Sequence, residues 1–277
     1  MSCPPEFPGY NSCPPTTVTI MSSYRQGTLY ATGSILLWGA FPIFYKQLEH
    51  IPMADVIGHR MIWAMAFMLA VLLALGRIGE VRKILTQPRQ ILVLSFTSAL
   101  LGLSWGTYVW AVLNAYIVEA SLGYYLTPIL SVAIGVLFFR EAMRPLQILA
   151  VALAAAGVVA QVIINGIVPW AGLFLGGIFA LYSAVRKTLD TAPFTGSFFE
   201  TIVLFPVGVA IVWLSGSSTT VSPVNFDLLL LIASGVITIL PLTWYICAAQ
   251  LMPLVTLGTL FYLAPTLGFL TLSLIHI

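Results

Sequence analysis

Residues 146–164 have the sequence LQILAVALAAAGVVAQVII, a nearly continuous apolar run without a charged side chain. A helix needs roughly 17–25 mainly apolar residues to cross the hydrocarbon core of a bilayer, and this run is long enough. Its apolar residues do not alternate with polar ones, which favours a membrane-spanning helix over a strand. Similar runs occur at about residues 27–45, 54–76, 91–112, 119–139, 168–185, 198–214, 227–250 and 254–275. The sequence therefore predicts an all-α, polytopic bundle of nine transmembrane helices.

The composition also indicates a membrane environment. Hydrophobic residues make up 60% of the 277 residues, charged residues make up 7%, and the mean hydropathy is +1.02. Soluble domains usually devote about a quarter of their residues to charge, because water must cover their surface. The net charge of +2 is not concentrated in a basic cluster, which argues against a nucleic-acid partner. The partner that the composition predicts is the lipid bilayer.

The distribution of basic residues predicts the orientation of the bundle. If the N-terminus is cytoplasmic, the inner segments hold Arg25, Arg77, Arg82, Lys83, Arg89, Arg140, Arg144, Arg186 and Lys187. An excess of Lys and Arg in the cytoplasmic loops is the usual mark of orientation in multi-pass proteins. Only Lys46 and Arg60 fall outside this pattern. The sequence therefore predicts a cytoplasmic N-terminus.

Short internal repeats predict that the bundle has two related halves. The segment 44–46 (FYK) corresponds to 185–187 (VRK), and 126–128 (LTP) corresponds to 263–265 (LAP). Five helices is an odd number, so the second unit must enter the membrane upside down relative to the first, as in many transporters. We predict a first repeat at residues 25–165 and a second at residues 166–277, from which a tenth helix is missing.

Residues 1–24 have a different character from the rest of the chain. They contain two Cys-Pro-Pro units and lack the apolar run of a signal peptide. We interpret them as a disordered leader and Met21 as the natural start. Two of the three cysteines, Cys3 and Cys13, lie in this leader, and Cys247 is isolated in an apolar run. This spacing predicts neither a disulfide framework nor a metal site, and no catalytic or cofactor motif occurs.

The most promising candidate site is the segment 55–63, DVIGHRMIW. Polar residues within a membrane helix are expensive and are functional candidates by default. Asp55, His59 and Trp63 share one helical face, and Arg60 lies about 100° around the helix from it. Arg60 could hold a substrate carboxylate, Trp63 could stack on the solute, and His59 could titrate during proton coupling. In the alternative interpretation, these residues lie at the outer interface, where Arg60 snorkels into water.

A second candidate segment runs from Asn114 to Pro128. Pro128 cannot donate a hydrogen bond within its helix, so we expect a kink near Tyr124 and Tyr125, which would point inward. Glu119 begins this helix, where it could couple transport to protons or simply balance the helix dipole.

Other intramembrane features are open to two interpretations. Helix kinks are also predicted at Pro206, Pro241 and Pro265. Glu200 is interpreted first as an interface residue that balances a helix dipole and second as a site residue. The G-x-x-x-G motifs at Gly102 and Gly172 favour packing within the bundle, and they would also suit a homodimer. The tryptophans at 105, 110, 170 and 244 could be cavity walls or interfacial anchors.

Several of these segments together resemble a known family. The segments are 59–63 (HRMIW), 110–114 (WAVLN), 119–124 (EASLGY), 140–141 (RE), 185–187 (VRK), 200–201 (ET) and 256–258 (TLG). In order and spacing they are similar to the EamA permeases of the drug/metabolite transporter superfamily, in the branch called chloramphenicol-sensitive protein RarD. The resemblance implies two inverted five-helix repeats in the bacterial inner membrane around a central cavity. One departure is Phe261, where the family usually has a Gln before the Tyr of the ninth helix.

The leading hypothesis is therefore a secondary transporter that exports or exchanges a small metabolite or amino-acid-like solute without a cofactor. The residues proposed to line its cavity are Arg60, Trp63, Asn114, Tyr124, Tyr125 and Tyr262, with His59 or Glu119 as the titrating group. Two alternatives are a membrane-embedded enzyme that acts on lipid substrates and a non-transporting membrane subunit. The scattered Arg and Lys of the inner loops speak against the enzyme, since such enzymes cluster their Asp, His and Arg there.

Overall fold

The computed structural model describes residues 17–114, 116–166, 168–215 and 226–275, which form helices and no strand. The helices are α1 Thr17–Gly39, α2 Phe41–Lys46, α3 Met53–Ala74, α4 Ile78–Leu85, α5 Pro88–Leu113, α6 Ile117–Leu137, α7 Pro145–Asn165, α8 Trp170–Thr188, α9 Pro193–Leu214, α10 Phe226–Leu251, α11 Leu254–Phe261 and α12 Leu263–Ile275. Within this part of the chain, six helical segments are long and apolar enough to cross a membrane. The prediction of an all-α, polytopic bundle is confirmed.

Each of the nine predicted runs is helical in the structure, and two of them are interrupted. The run at 27–45 is divided into α1 and α2, and the run at 254–275 is divided into α11 and α12. The sequence did not predict α4, a short amphipathic helix in which Val81 and Ile84 are buried. Its length is far below the span of a bilayer, so a search for apolar runs passes over it.

Proline explains both interruptions. Pro42 lies in the first turn of α2 and Pro265 in the first turn of α12. A proline lacks the N–H group that would continue a preceding helix, but it fits the first turn of a new one. The prediction at Pro265 therefore corresponds to a complete break at Tyr262. Helices α6, α9 and α10 continue past their internal prolines Pro128, Pro206 and Pro241, where kinks remain a prediction.

The helix pairs match what two related halves would produce. In the two predicted halves, α1 corresponds to α8, α3 to α9 and α5 to α10. Helix α1 packs on α10, and its counterpart α8 packs on α5. Likewise, α3 packs on α10, and its counterpart α9 packs on α5. The pairs α3–α9 and α6–α11 join corresponding segments of the two halves directly. Each pair therefore has its counterpart when the halves are exchanged. The repeat limits 25–165 and 166–277 themselves remain a prediction.

Glycines allow the closest of these crossings. A Cβ atom on Gly58 of α3 would lie 3.0 Å from the carbonyl oxygen of Gly208 of α9, and one on Gly208 would lie 2.9 Å from that of Gly58. Where α6 crosses α8, a Cβ atom on Gly176 would lie 3.0 Å from the backbone nitrogen of Thr127. The motif that begins at Gly172 thus packs inside the bundle. Dimerisation remains a prediction.

We expect Gly208→Ala to destabilise the protein by about 1–3 kcal/mol, because the added methyl group overpacks the α3–α9 crossing. Gly157→Ala is the matched control, since a Cβ atom there meets no atom within 4 Å. Both substitutions bring the same gain in helix propensity. The measurement is unfolding of the purified protein in detergent. Equal unfolding midpoints for Gly208→Ala and Gly157→Ala would contradict the prediction.

Candidate functional site

Arg60 lies level with the middle of the bundle. Its Nη1 donates a hydrogen bond of 3.5 Å to the hydroxyl group of Tyr45, which lies 3.3 Å from Oγ1 of Thr238. Thr238 is midway along α10, a helix of 26 residues, and is therefore about 18 Å from either helix end. This position argues against the alternative in which Arg60 snorkels at the outer interface. The break before α2 places Tyr45 beside Arg60.

Aromatic rings surround the guanidinium group. The Cζ atom of Arg60 lies 4.5 Å from the ring centroid of Trp105, a cation–π contact. Tyr108, one turn further along α5, is close enough to Arg60 and Tyr45 to interact with both electrostatically. We call Tyr45, Arg60, Trp105, Tyr108 and Thr238 the Arg60 cluster. Among the described side chains, no carboxylate forms a salt bridge with Arg60.

Several buried polar atoms of the predicted site residues form no hydrogen bond with the described part of the chain. Nε of Arg60 and Nε1 of Trp63 are buried and form no hydrogen bond within the described part of the chain, and neither atom can accept one. The Nδ1 atom of His59 and the hydroxyl oxygen of Tyr262 are also buried without a hydrogen bond to a described residue. Buried polar groups are normally paired, so this excess of donors suits a ligand that brings acceptors. A carboxylate is such a ligand.

The structure brings only some of the predicted site residues together. Trp63 packs against α10 at Gly235, about one turn from Thr238 in the cluster. Asn114 is exposed and donates its amide hydrogen to the carbonyl group of Trp110 in its own helix, so we leave it out of the site. Tyr125 is 38% exposed. The side chains of Glu119 and Tyr124 lie outside those that the structure describes.

The four tryptophans divide equally between the interior and the exterior. Trp105 lies over Arg60, and Trp244 packs against Gly33 of α1. Trp110 and Trp170 are 52% and 71% exposed, respectively. They flank an apolar depression of about 520 Å³ that lies between α5 and α8. Exposed Trp at helix ends is typical of interfacial anchors, so we interpret this depression as part of the lipid-facing surface.

The first interpretation of Glu200, as an interface residue that balances a helix dipole, was wrong. Glu200 and Arg186 are both 0% exposed, and Nε of Arg186 lies 3.3 Å from Oε1 of Glu200. Thr97 donates a hydrogen bond of 2.6 Å to Oε1, and Tyr182 donates one of 3.0 Å to Oε2. We call these four residues the Glu200 network. Helix α8 extends to Thr188, so Arg186 faces the bundle and is not the loop residue that the orientation prediction assumed.

A second network ties the ends of several helices together beside it. Nζ of Lys187 donates hydrogen bonds of 2.9 and 2.6 Å to the carbonyl groups of Ala249 and Met252, and it lies 3.6 Å from Oε1 of Glu141. Oε2 of Glu141 accepts a hydrogen bond of 2.8 Å from the backbone nitrogen of Val255. We call Glu141 and Lys187 the Lys187 network. The end of the bundle at which they lie is called the Lys187 end.

Gln250 strengthens the same end of the bundle. Its Nε2 atom lies 3.2–3.3 Å from three carbonyl oxygens, that of Arg186 in the last turn of α8 and those of Leu189 and Thr191 in the connection to α9. At the opposite end, Nε2 of His50 lies 3.1 Å from Oδ1 of Asp227, and both side chains are exposed to solvent. We call that end the His50 end.

An aromatic layer separates the Arg60 cluster from the Lys187 end of the bundle. The rings of Trp38, Phe179, Tyr245 and Phe261 meet with centroid distances of 5.2–6.2 Å. Tyr245 follows Thr238 by about two turns of α10, so this layer lies between the Arg60 cluster and the Lys187 end. Phe261, the departure from the family pattern, belongs to it.

Glu80 joins α4 to the start of α9 outside the membrane-spanning segments. Its carboxylate accepts hydrogen bonds from the hydroxyl group of Thr195 and from Nε of Arg77. These contacts, first of all the one with Thr195, hold the pKa of Glu80 below its usual value. The depressed pKa means that the ionised carboxylate is more stable in the folded protein than in the unfolded chain.

We expect Thr195→Val to lower the melting temperature by about 2–4 °C at pH 7, because ionised Glu80 loses its hydroxyl donor. The stabilisation exists above the unfolded pKa and disappears as the pH falls through the lower folded value. The difference in melting temperature between Thr195→Val and the wild type should therefore vanish well below about pH 4. Thr188→Val is the control, since the hydroxyl group of Thr188 donates within its own helix. A difference that does not depend on pH would exclude this explanation.

Comparisons with known proteins agree with this architecture. The EamA-like transporter family matches residues 25–163. An uncharacterized transporter of Pseudomonas aeruginosa is 39% identical over 89% of this chain and 84% of its own length. A protein RarD of Streptomyces exfoliatus is 38% identical, covering 88% and 79%, and a protein RarD of Escherichia coli is 35% identical, covering 89% and 84%. A solved crystal structure, described only as that of a protein, superposes with a TM-score of 0.72 at 23% identity, covering 91% of this chain and 89% of that one.

Proposed function

This chain belongs to the RarD branch of the EamA-like transporter family, and from that premise we propose that it is a secondary transporter of a small metabolite or amino-acid-like solute. It would export or exchange this solute across the bacterial inner membrane, with its N-terminus in the cytoplasm. The observation that carries the proposal is the Arg60 cluster, where a guanidinium group that pairs with no carboxylate among the described side chains lies beside the middle of α10.

The arrangement of the cluster supports a solute that carries a carboxylate. Arg60 offers a planar fork of donors, and Trp105 supports one face of that fork. Trp63 and Tyr262 offer further donors. The site lies near the interruptions at α1–α2 and α11–α12, and transporters commonly form midplane sites from such discontinuous helices. Gly39 and Leu267 bring these two interrupted segments into contact, since a Cβ atom on Gly39 would lie 2.6 Å from that of Leu267.

Solute exchange in liposomes tests this proposal. The protein is reconstituted, and counterflow is measured with radiolabelled L-amino acids and short mono- and dicarboxylic acids, with chloramphenicol as a further compound because one relative is named for sensitivity to it. We expect saturable exchange of at least one carboxylate, and competition among carboxylates of similar size. If only uncharged compounds or none are exchanged, the carboxylate proposal is wrong.

The orientation has its own test. A single cysteine at position 144 and another at position 50 are compared in a chain without its native cysteines. In intact cells, a membrane-impermeant maleimide should label His50→Cys and leave Arg144→Cys unlabelled. The reverse pattern would overturn the proposed orientation.

A further inference from the structure

We propose that the Glu200 network and the Lys187 network form a gate that closes the Lys187 end of the solute pathway, with the Arg186–Glu200 ion pair as its latch. The gate rests on the transport function proposed above and goes beyond it, because it assigns the residues that hold one end of the pathway shut. By the proposed orientation, this end faces the cytoplasm.

The first argument is the order of layers along the bundle. Thr238, Tyr245 and Gln250 follow one another along α10, and they belong to the Arg60 cluster, the aromatic layer and the Lys187 end, respectively. A solute at Arg60 would have to pass the aromatic layer and then the polar contacts at the Lys187 end to leave on that side. These two layers therefore lie where a gate would have to be.

The second argument is that contacts beside the latch join the two halves of the fold. The Arg186–Glu200 pair itself lies within the second half, where it holds Glu200 opposite Thr97 of the first. Thr97 of the first half donates to Glu200 of the second, and Glu141 of the first half contacts Lys187 and Val255 of the second. Alternating access moves one group of helices against the other, so contacts between them must break when the end opens. Contacts also join the halves at the His50 end, but their ion pair, His50–Asp227, is exposed to solvent.

The third argument comes from the repeat. At an offset of 141 residues, Lys46, Leu48 and Pro52 correspond to Lys187, Leu189 and Pro193 without a change of residue type. In the same alignment, Tyr45 corresponds to Arg186, and His59 to Glu200. The helix connections that carry the Arg60 cluster and the Glu200 network are therefore counterparts. Corresponding positions therefore flank the connections at the two ends of the bundle, and among the described residues only the Arg186–Glu200 pair is a fully buried ion pair.

The energetics of the ion pair suit a latch. Two paired charges in a dry interior attract each other strongly, but both regain hydration when water enters, so closing and opening can be nearly balanced. Removal of one partner upsets this balance, because the remaining charge favours the hydrated, open arrangement. Gly196 makes room for the latch, since a Cβ atom at that position would collide with the guanidinium group of Arg186.

Cys247 provides a native reporter for the gate. Its side chain is buried on α10, and Arg186 is close enough to act on it electrostatically. In the Cys3→Ser/Cys13→Ser background, Cys247 is the remaining thiol. The experiment measures its rate of reaction with N-ethylmaleimide in the full chain, purified and held in lipid nanodiscs.

We expect Glu200→Gln to raise the labelling rate of Cys247 by about tenfold or more, as a shift of the gate towards its open state requires. Asp190→Asn is the matched control, an exposed carboxylate in the neighbouring connection, and its rate should stay at the wild-type value. Gly196→Ala should act like Glu200→Gln by displacing Arg186. Gly177→Ala, where a Cβ atom meets nothing within 4 Å, should have no effect.

Melting temperature and gel filtration separate opening from unfolding. If Glu200→Gln lowers the melting temperature too far, Gly196→Ala serves in its place, with the same expected increase in labelling. A folded Glu200→Gln or Gly196→Ala variant that labels Cys247 at the wild-type rate would overturn the gate. Labelling needs no solute, so the two proposals can fail separately. Faster labelling of Glu200→Gln by a protein that exchanges no carboxylate would support the gate and contradict the proposed function. Carboxylate exchange by a protein whose labelling is unchanged in Glu200→Gln would support the function and contradict the gate.

Discussion

Replacing Arg60 with methionine is expected to abolish carboxylate exchange and to leave the bundle folded. The guanidinium group supplies a charge and a planar set of donors level with the middle of the bundle, and methionine keeps most of the side-chain length without either. Loss of one partner from a buried, hydrogen-bonded charge pair weakens binding by about 2–5 kcal/mol, which is a factor of roughly 30 or more. Counterflow of the best carboxylate substrate in liposomes measures the effect.

Two further variants make this result specific. Arg60→Lys keeps the charge but loses the planar fork that stacks on Trp105, so we expect weakened exchange that is not abolished. Lys46→Met removes an exposed cation next to Tyr45 and should exchange at the wild-type rate. Unchanged exchange by Arg60→Met would remove Arg60 from the solute site. Equal losses in Arg60→Met and Lys46→Met would point to a general effect of positive charge.

The sequence predicted the helices well because their physical signal is local. Length and apolarity decide whether a segment can cross a bilayer, and both can be counted along the chain. The breaks at Ala40 and Tyr262 were harder to place, because a proline can either kink a helix or start a new one. At Pro265 it starts one, and at Pro128 the helix continues. Helix α4 depends on packing of Val81 and Ile84 against the bundle, which no apolar count contains.

The candidate site could be predicted only in part. The spacing of His59, Arg60 and Trp63 marked one polar segment of α3, since helical periodicity is a property of the sequence itself. The partners of Arg60 are Tyr45 and Thr238, and Thr238 lies on a helix far away in the chain. Only the packing of α2, α3 and α10 brings them together. Without homologous sequences, no local pattern indicates these partners.

Glu200 shows a different kind of error, because here the sequence led to a wrong interpretation and not merely to missing partners. The sequence treated Arg186 as a loop cation and Glu200 as a helix-terminal carboxylate, since each lies near the end of its apolar run. In the structure the α8–α9 connection is short, so these two residues, 14 apart, face each other inside the bundle. A basic residue next to the end of an apolar run satisfies the positive-inside rule wherever its side chain points. Charge counting therefore cannot distinguish a loop cation from one half of a buried pair.

The buried pair leads to the second large effect. We expect Arg186→Met to lower the free energy of unfolding by about 3–5 kcal/mol, because Glu200 would keep its place in the interior without a compensating charge. Thr97 and Tyr182 would still donate to the carboxylate, which limits the loss. The measurement is unfolding in mixed micelles by titration with a denaturing detergent. Arg144→Met is the control, since it removes a cation from an exposed position.

The paired variant Arg186→Met/Glu200→Met should recover most of the stability that Arg186→Met loses. Apolar side chains of similar volume can replace a buried ion pair at little cost, since both desolvation penalties disappear with the charges. The two single variants and the double variant form a cycle whose coupling energy measures the pair directly. If the effects of the single variants simply add, the charges do not interact, and Arg186 stabilises the bundle by packing alone. Strong coupling, in a stable double variant that labels Cys247 no faster than wild type, would show that an unpaired charge drives opening and that the pair is not needed for folding.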